Sequence, residues 1–186
     1  MTSDEILKLK AVVLFVLGRC KKLDYFHLFK ILYFADRAHY ATYGRRIIAD
    51  TFCALQYGPV PSALYDAVKD VIGVQALPSA SPLLLLSKSL VKVDSTYLKA
   101  KEKFDADELS RSDIEALDAS INENRNKSFD ELSQQSHDEA WTEAYNNPKN
   151  TQKAIEPLTM AKAAGANEDT LQYLKEQARI DAALSA

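Results

Sequence analysis

One stretch, residues 24–44, limits what this chain can fold into more than any other. It reads DYFHLFKILYFADRAHYATYG, and its first half is apolar on almost every side. Asp24 can accept hydrogen bonds from the free N–H groups of a first helical turn, and Gly44 can end the helix in a left-handed conformation. A helix that is apolar all round is surrounded by other elements. The sequence therefore predicts a buried central helix.

Further helices are predicted on both sides of it. Residues 3 to about 18 form a first helix, with Thr2 and Glu5 as a capping box and Gly18 at its end. Pro61 suits the first position of another helix, because its missing N–H costs nothing there. Three further capping boxes are predicted in the second half: Ser112 with Glu115, Ser128 with Glu131, and Ser136 with Glu139. The fold class is mainly α, a compact helical domain around the central helix.

Two regions favour extended structure instead. Branched residues between Ile47 and Cys53 predict a strand, and the segments 90–93 and 97–100 predict a small hairpin around Asp94-Ser95-Thr96. Lysines decorate that hairpin, at positions 88, 92, 99, 101 and 103. They either protect a sheet edge from aggregation or form a basic wing against nucleic acid or an acidic partner.

Length and charge narrow the functional classes. The 186 residues are enough for one domain, or for one domain with an appendage, and the net charge of −3 argues against nucleic-acid binding by bulk electrostatics. Cys20 and Cys53 have no metal-like spacing, so we expect neither a metal nor a cofactor. The N-terminus lacks a signal peptide, and the apolar run 11–17 is too short to cross a membrane. We therefore expect a soluble cytoplasmic protein.

Three stretches occur in a fixed order along the chain. The first is KILYFADRAHY at 30–40, and the second is DTFCALQYGPVPSALYD at 50–66. The third runs from 109 to 141 and contains LSRSDIEAL, SFDELS and SHDEAW. Together they resemble the Panacea domain, also called the SocA-like antitoxin or phage-associated GepA-like family. The resemblance assigns residues 1–146 to this domain. Residues 147–186 are then a C-terminal helical extension that packs on it or binds a partner.

The resemblance implies a bacterial or prophage-borne antitoxin that neutralises a cognate toxin by direct contact. In the SocA branch the protein is also an adaptor that presents its toxin to a ClpXP protease. The family pairs with toxins of unrelated kinds, so membership does not identify the toxin. A second hypothesis is a winged-helix-like DNA-binding regulator of its own operon, built from residues 45–72 and the basic hairpin.

Candidate binding residues lie in two places, the first of them on the central helix. Asp36 and Arg37 interrupt the apolar helix and must find partners or solvent, so they are interface candidates. His39 follows three residues after Asp36, so the two can meet on one face. Such a pair is half of an acid–base site, but no nucleophile accompanies it. We therefore predict a satisfied buried pair and no enzyme.

The second place is the proline-rich segment, which is the main candidate for a functional surface. It consists of Tyr57, Gly58, Pro59, Val60 and Pro61. Two prolines fix φ and remove N–H donors, which predicts a stiff, shaped loop. A preorganised loop loses little entropy when a partner binds. The alternative is that the turn merely leads a strand into a helix.

Overall fold

The central helix forms as predicted, and the other elements surround it. The computed structural model describes residues 1–184. Helix α2 spans Tyr25–Tyr43, and the Asp24 carboxylate caps it by accepting a hydrogen bond of 2.9 Å from the His27 N–H. Gly44 ends it with φ of 63°. Every residue from 28 to 36 is buried, and each large apolar side chain among them contributes about 1.5–3 kcal/mol to folding.

The fold is mainly α, in agreement with the sequence. The other helices are α1 (Ser3–Cys20), α3 (Ser62–Ile72), α4 (Leu84–Ser87), α5 (Arg111–Asn124), α6 (Phe129–Ser136), α7 (Glu139–Asn146), α8 (Pro157–Ala163) and α9 (Glu168–Leu184), with a 3-10 helix at Ala106–Glu108. Helix α5 packs along α2 more extensively than any other element, and α6 and α8 also contact it. No helix within residues 1–184 is long and apolar enough to cross a membrane.

The strands form two small antiparallel sheets. Strands β1 (Leu23–Asp24), β4 (Leu90–Lys92) and β5 (Tyr97–Ala100) make one sheet, with β5 in the middle. The hairpin predicted from the sequence is therefore confirmed, and β1 adds a third strand to it. Strands β2 (Phe52–Leu55) and β3 (Gly58–Pro61) make the second sheet, a tight hairpin with Tyr57 in its turn.

The stiff loop expected at 57–61 is thus largely a strand. Pro59 pairs with Ala54 and Pro61 with Phe52, while Gly58 and Val60 occupy the alternate positions. Antiparallel ladders alternate hydrogen-bonded and non-bonded pairs, so prolines fit wherever they fall at the non-bonded pairs. The prediction of a loop was wrong because two missing N–H donors do not prevent a strand when both fall at non-bonded pairs.

The predicted strand from Ile47 is also shorter than expected. Residues 45–51 have no regular structure, and β2 begins only at Phe52. The backbone N–H groups of Ile47 and Ile48 donate to the Asp36 carboxylate, at 2.6 and 3.2 Å. A side chain, rather than a neighbouring strand, therefore satisfies this part of the backbone.

Helix starts were predicted with mixed success. The capping boxes of Thr2 with Glu5 and of Ser128 with Glu131 are confirmed. Two others are wrong, because Ser110 with Asp113 caps α5 and Asp138 caps α7. Nearby serines and acids offer several overlapping registers, and burial of the Asp113 side chain selects one of them.

Two helix ends also differ from the prediction. Helix α1 continues through Gly18 to Cys20, and Lys21 follows with φ of 63°. A Cβ at Gly18 would meet nothing within 4 Å, so no packing requires the glycine. Pro61 is the residue before α3 rather than its first helical residue.

The segment after residue 146 joins the rest of the fold at the β2–β3 hairpin. The Ala54 N–H donates to Lys153 O at 2.7 Å, and the Ile155 N–H donates to Phe52 O at 2.8 Å. Helix α8 buries Met160 against α2 and α7, whereas α9 buries only Leu174 among its described residues. The predicted extension at 147–186 has its last two residues outside the described range, and its division from residues 1–146 remains a prediction.

Candidate functional site

A groove of about 550 Å³ opens between the start of α2, the β2–β3 hairpin, α6 and the end of β1. Its lining is mostly aromatic and comprises Asp24, Tyr25, Phe26, His27, Phe29, Lys30, Leu55, Tyr57, Gly58, Val60, Tyr65, Thr96, Tyr97 and Phe129. Ligand sites commonly have volumes of about 300–1,000 Å³ and apolar walls with a few polar groups. The groove has both properties.

The walls of the groove expose aromatic rings to solvent. Tyr57 is 55% exposed, Phe129 44% and Tyr97 37%. The rings of Tyr57 and Phe129 meet at 5.3 Å, and Phe129 stacks on Phe26 at 4.1 Å between centroids. Aromatic rings that are rigidly held and still exposed are typical of surfaces that bind another molecule.

The floor of the groove holds a buried lysine. Lys30 is 0% exposed, and its Nζ donates a hydrogen bond of 2.9 Å to Pro59 O. The ammonium also lies 4.9 Å from the centroid of the Phe26 ring. Among the ion pairs of residues 1–184, none includes Lys30. Burial lowers the pKa of Lys30 to about 7, so both protonation states are populated near neutral pH.

Gly58 makes room for this lysine. Its φ is +101°, and a Cβ at this position would lie 2.2 Å from Ser136 Oγ and 2.6 Å from Lys30 Nζ. The glycine is therefore required both by the backbone conformation and by the close approach of two polar side chains. The Tyr-Gly-Pro sequence thus shapes the groove floor as well as the hairpin turn.

The rim of the groove carries an acid–histidine pair. His27 Nδ1 lies 2.7 Å from Asp24 Oδ2, and Nε2 lies 2.8 Å from Lys127 O. The hydrogen bond to Asp24 raises the pKa of His27 more than burial lowers it. Because Nε2 faces a carbonyl oxygen, it must donate, and protonation then lets Nδ1 donate to Asp24 as well.

The proline-rich segment contributes three of its five residues to the groove lining. Tyr57, Gly58 and Val60 line the groove. Pro59 and Pro61 are buried and do not line it. Pro59 acts through its carbonyl, which holds Lys30.

Asp36 is not at a surface, contrary to its choice as an interface candidate. It is 1% exposed and accepts hydrogen bonds from Arg46 and from the N–H groups of Ile47 and Ile48. Burial raises the pKa of Asp36, and the Arg46 charge opposes this. Its role in the fold is to hold the irregular segment 45–51.

His39 is also buried, at 1% exposure, and it does not pair with Asp36. Its Nδ1 lies 2.7 Å from Arg45 O, and its Nε2 lies 3.0 Å from Ser112 Oγ. The predicted Asp36–His39 pair is therefore wrong, although both side chains are satisfied in the interior. Both instead tie α2 to the segment 45–51, and His39 also reaches the start of α5 through Ser112.

Arg37 is half-buried and lies apart from the groove lining. Its guanidinium donates to the Asp138 carboxylate, which also accepts from the Tyr33 hydroxyl at 2.7 Å. Asp138 in turn caps α7 by accepting from the Trp141 N–H at 2.9 Å. Arg37 therefore joins α2 to α7, and this ion pair leaves it less free for a partner than the sequence suggested.

Sequence reasoning missed the most unusual residue of the groove. Lys30 was noted only as the start of a family motif, yet it is a lysine inside the most apolar run of the chain. That position alone was a signal of a buried cation. The wall residues Tyr97 and Phe129 come from distant segments, so no local pattern could bring them together.

Most of the groove lining lies within a region that matches a known family model, and residues 24–27 precede that region. That model describes the antitoxin SocA-like Panacea domain, and it matches residues 28–142, more than half of the chain. The chain belongs to the SocA-like antitoxin family. No curated protein and no solved structure gives a significant match. Within the Panacea match lie Lys30, the β2–β3 hairpin and Phe129, so the main groove elements are part of the family domain.

Proposed function

We propose that this protein is an antitoxin that neutralises a cognate toxin protein by direct binding, in the bacterial cytoplasm and without catalysis. The observation that carries the proposal is the family match over residues 28–142. A toxin-type protein partner follows from that membership. Which toxin is bound depends on the surface of this particular chain.

The aromatic groove is our candidate for the toxin-binding surface. Binding energy at protein interfaces concentrates in a few aromatic anchors and their pockets. Tyr57 and Phe129 are such anchors, because they are exposed and yet held against each other at 5.3 Å. Rigid rings lose little conformational entropy on binding, which favours them as contact residues.

The polar groups of the groove support binding rather than catalysis. Lys30 Nζ is fully buried and engaged by Pro59 O. His27 is held on one side by Asp24 and on the other by Lys127 O. The two cysteines lie outside the groove lining, and burial raises the pKa of both Cys20 and Cys53, which keeps them as thiols at neutral pH.

Growth rescue tests the proposal. The protein is co-expressed with the product of the gene adjacent to its own, and we expect restored growth and a complex that co-purifies. Replacing Tyr57 and Phe129 together by Ala should weaken the complex by about tenfold or more, because two exposed anchors are lost. Tyr43→Ala is the matched control, since Tyr43 is also 55% exposed but lies outside the groove.

Two results would count against the proposal in different ways. Absence of both rescue and complex formation by the wild-type chain contradicts the antitoxin function. Rescue that survives the loss of Tyr57 and Phe129 but fails in Tyr43→Ala places the toxin contact elsewhere.

Delivery of the toxin to a ClpXP-type protease is a finer proposal, tested by comparing toxin half-life with and without the antitoxin in protease-deficient cells.

The DNA-binding alternative has one feature in its favour. The β4–β5 hairpin carries exposed lysines at positions 88, 92, 99, 101 and 103. Against it stand the net charge of −3 and the use of Lys92 Nζ to donate to Ile72 O at 2.8 Å. A gel shift with the operon's own promoter should show binding that weakens steeply with salt if phosphate contacts are made.

A further inference from the structure

We propose that the groove binds an extended segment of the toxin that carries an acidic side chain among apolar ones, with its carboxylate paired to the Lys30 ammonium. The proposal rests on the antitoxin function and specifies the chemistry of the partner. The apolar side chains of the segment pack against the aromatic walls. The carboxylate supplies the counter-charge that the groove floor lacks.

The first support is that Lys30 is a buried cation without an acidic partner. Its one hydrogen-bond acceptor among the described residues is Pro59 O, although an ammonium has three donors. Buried charges in folded proteins are normally paired, because desolvation of a lone charge is expensive. The free-energy cost of burying its charged form lowers the pKa of Lys30 to about 7. A carboxylate that enters the groove restores the usual pairing.

The second support is that the acidic residue already at the groove is committed elsewhere. Asp24 accepts from the His27 backbone N–H and lies 2.7 Å from His27 Nδ1. The Lys30 charge also reaches a neighbour, since it lowers the pKa of His137, although less than burial does. The floor of the groove is therefore positive when Lys30 is protonated, and in that state it complements a negatively charged ligand.

The third support is that Gly58 lets the ammonium lie directly beneath the groove lining. A Cβ at Gly58 would lie 2.6 Å from Nζ, so the ammonium fits there only because this residue is a glycine. The centroid of the Phe26 ring lies 4.9 Å from Nζ. Lys30 lines the groove while being 0% exposed. A carboxylate in the groove therefore reaches the ammonium when the lysine stem changes rotamer toward the groove.

Peptide selection provides the test. Short random peptides displayed on phage are selected on the wild-type chain and on Lys30→Met, which keeps the stem and removes the charge. We expect wild-type selections to be enriched in sequences with one Asp or Glu among aromatic and aliphatic residues. Lys30→Met should lose the acidic preference and keep the apolar one. Tyr57→Ala should weaken binding of all selected peptides, and Tyr43→Ala should not.

A double-mutant cycle then assigns the contact. The best acidic peptide and its carboxamide version are measured against wild type and Lys30→Met. We expect about a tenfold loss for either change alone and little further loss for both together, because a close charge pair is coupled. Additive losses, or identical acidic enrichment on Lys30→Met, overturn the proposal.

Failure of this inference is distinct from failure of the antitoxin function. Growth rescue by the wild-type chain tests the function without reference to Lys30. If rescue succeeds and the peptide preference does not depend on Lys30, only the carboxylate pairing is wrong. If rescue fails while acidic peptides bind through Lys30, the groove chemistry stands and the antitoxin function is wrong. Thermal melts of Lys30→Met confirm that the variant is folded.

Discussion

Replacement of Lys30 by Met should make folding stability respond differently to pH. The pKa of Lys30 falls from 10.5 to about 7 in the folded chain because its ammonium is buried. A tenfold change in proton affinity is worth about 1.4 kcal/mol, so burial of the charged form costs about 5 kcal/mol. Lys30→Met avoids this cost while preserving the packing of the stem. Below pH 7 the variant should therefore be more stable than the wild type.

The sign of the pH effect follows from proton binding. Between the folded pKa near 7 and the unfolded value near 10.5, the unfolded chain binds more protons, so wild-type stability rises with pH. From pH 6 to pH 9 the wild type should gain about 3 kcal/mol relative to Lys30→Met. Other titrating groups, such as His27, are present in both chains and largely cancel in the difference, except His137, whose pKa the Lys30 charge itself lowers.

Urea unfolding followed by tryptophan fluorescence gives this difference directly. Both chains are measured with reductant at several pH values from 6 to 9, and the free energies of unfolding are extrapolated to water. Trp141 is the single tryptophan and reports on α7, which packs against β2. A stability difference between the two chains that stays constant with pH would refute the reasoning that Lys30 is buried without a counter-charge.

Three further substitutions test other parts of the fold by the same measurement. Gly58→Ala should lower the free energy of unfolding by about 3 kcal/mol or more, because the new Cβ collides with Lys30 and Ser136. Gly73→Ala is the control: φ is 81° there but the space is open, so it should cost only about 1 kcal/mol. Equal effects of the two substitutions would contradict the collision with Lys30. Asp36→Asn should cost about 3–5 kcal/mol at pH 7, because it breaks a buried ion pair. Burial opposes ionisation of Asp113, but hydrogen bonds from Lys8, Ser110 and Arg45 outweigh it and lower its pKa to about 2. The wild type should thus lose stability relative to Asp113→Asn as pH falls from 4 to 2, and parallel acid-unfolding curves would show otherwise.

The parts of the fold that could be predicted are those with local signals. Helix α2 was readable because its apolar run and both caps lie within residues 24–44. The β4–β5 hairpin was readable because its turn residues separate two short apolar runs. The start of α5 was misplaced, since only the buried contacts of Asp113 select Ser110 over Ser112 as the cap.

The candidate site was predictable only in part. The turn around Tyr57 was identified because proline fixes φ and glycine permits positive φ, and both residues are visible in the sequence. The burial of Asp36 and His39 was predicted, but the interface role of Asp36 and the contact between the two were wrong, because the sequence does not show which partner a polar helix residue meets. Their burial depends on Arg46 and on the Ser112 region, which the sequence does not place beside α2.

The pairing of residues 153–155 with β2 has a consequence for synthesis of the protein. The hairpin that holds Gly58 leaves the ribosome first, but the strand edge at Phe52 is covered only after Ile155 has also emerged. Phe129 likewise arrives late. A nascent chain therefore exposes the edge of β2 until residues 153–155 have emerged. Chains truncated before residue 153 should keep this edge uncovered, and such an edge is a site at which strands of other chains can pair.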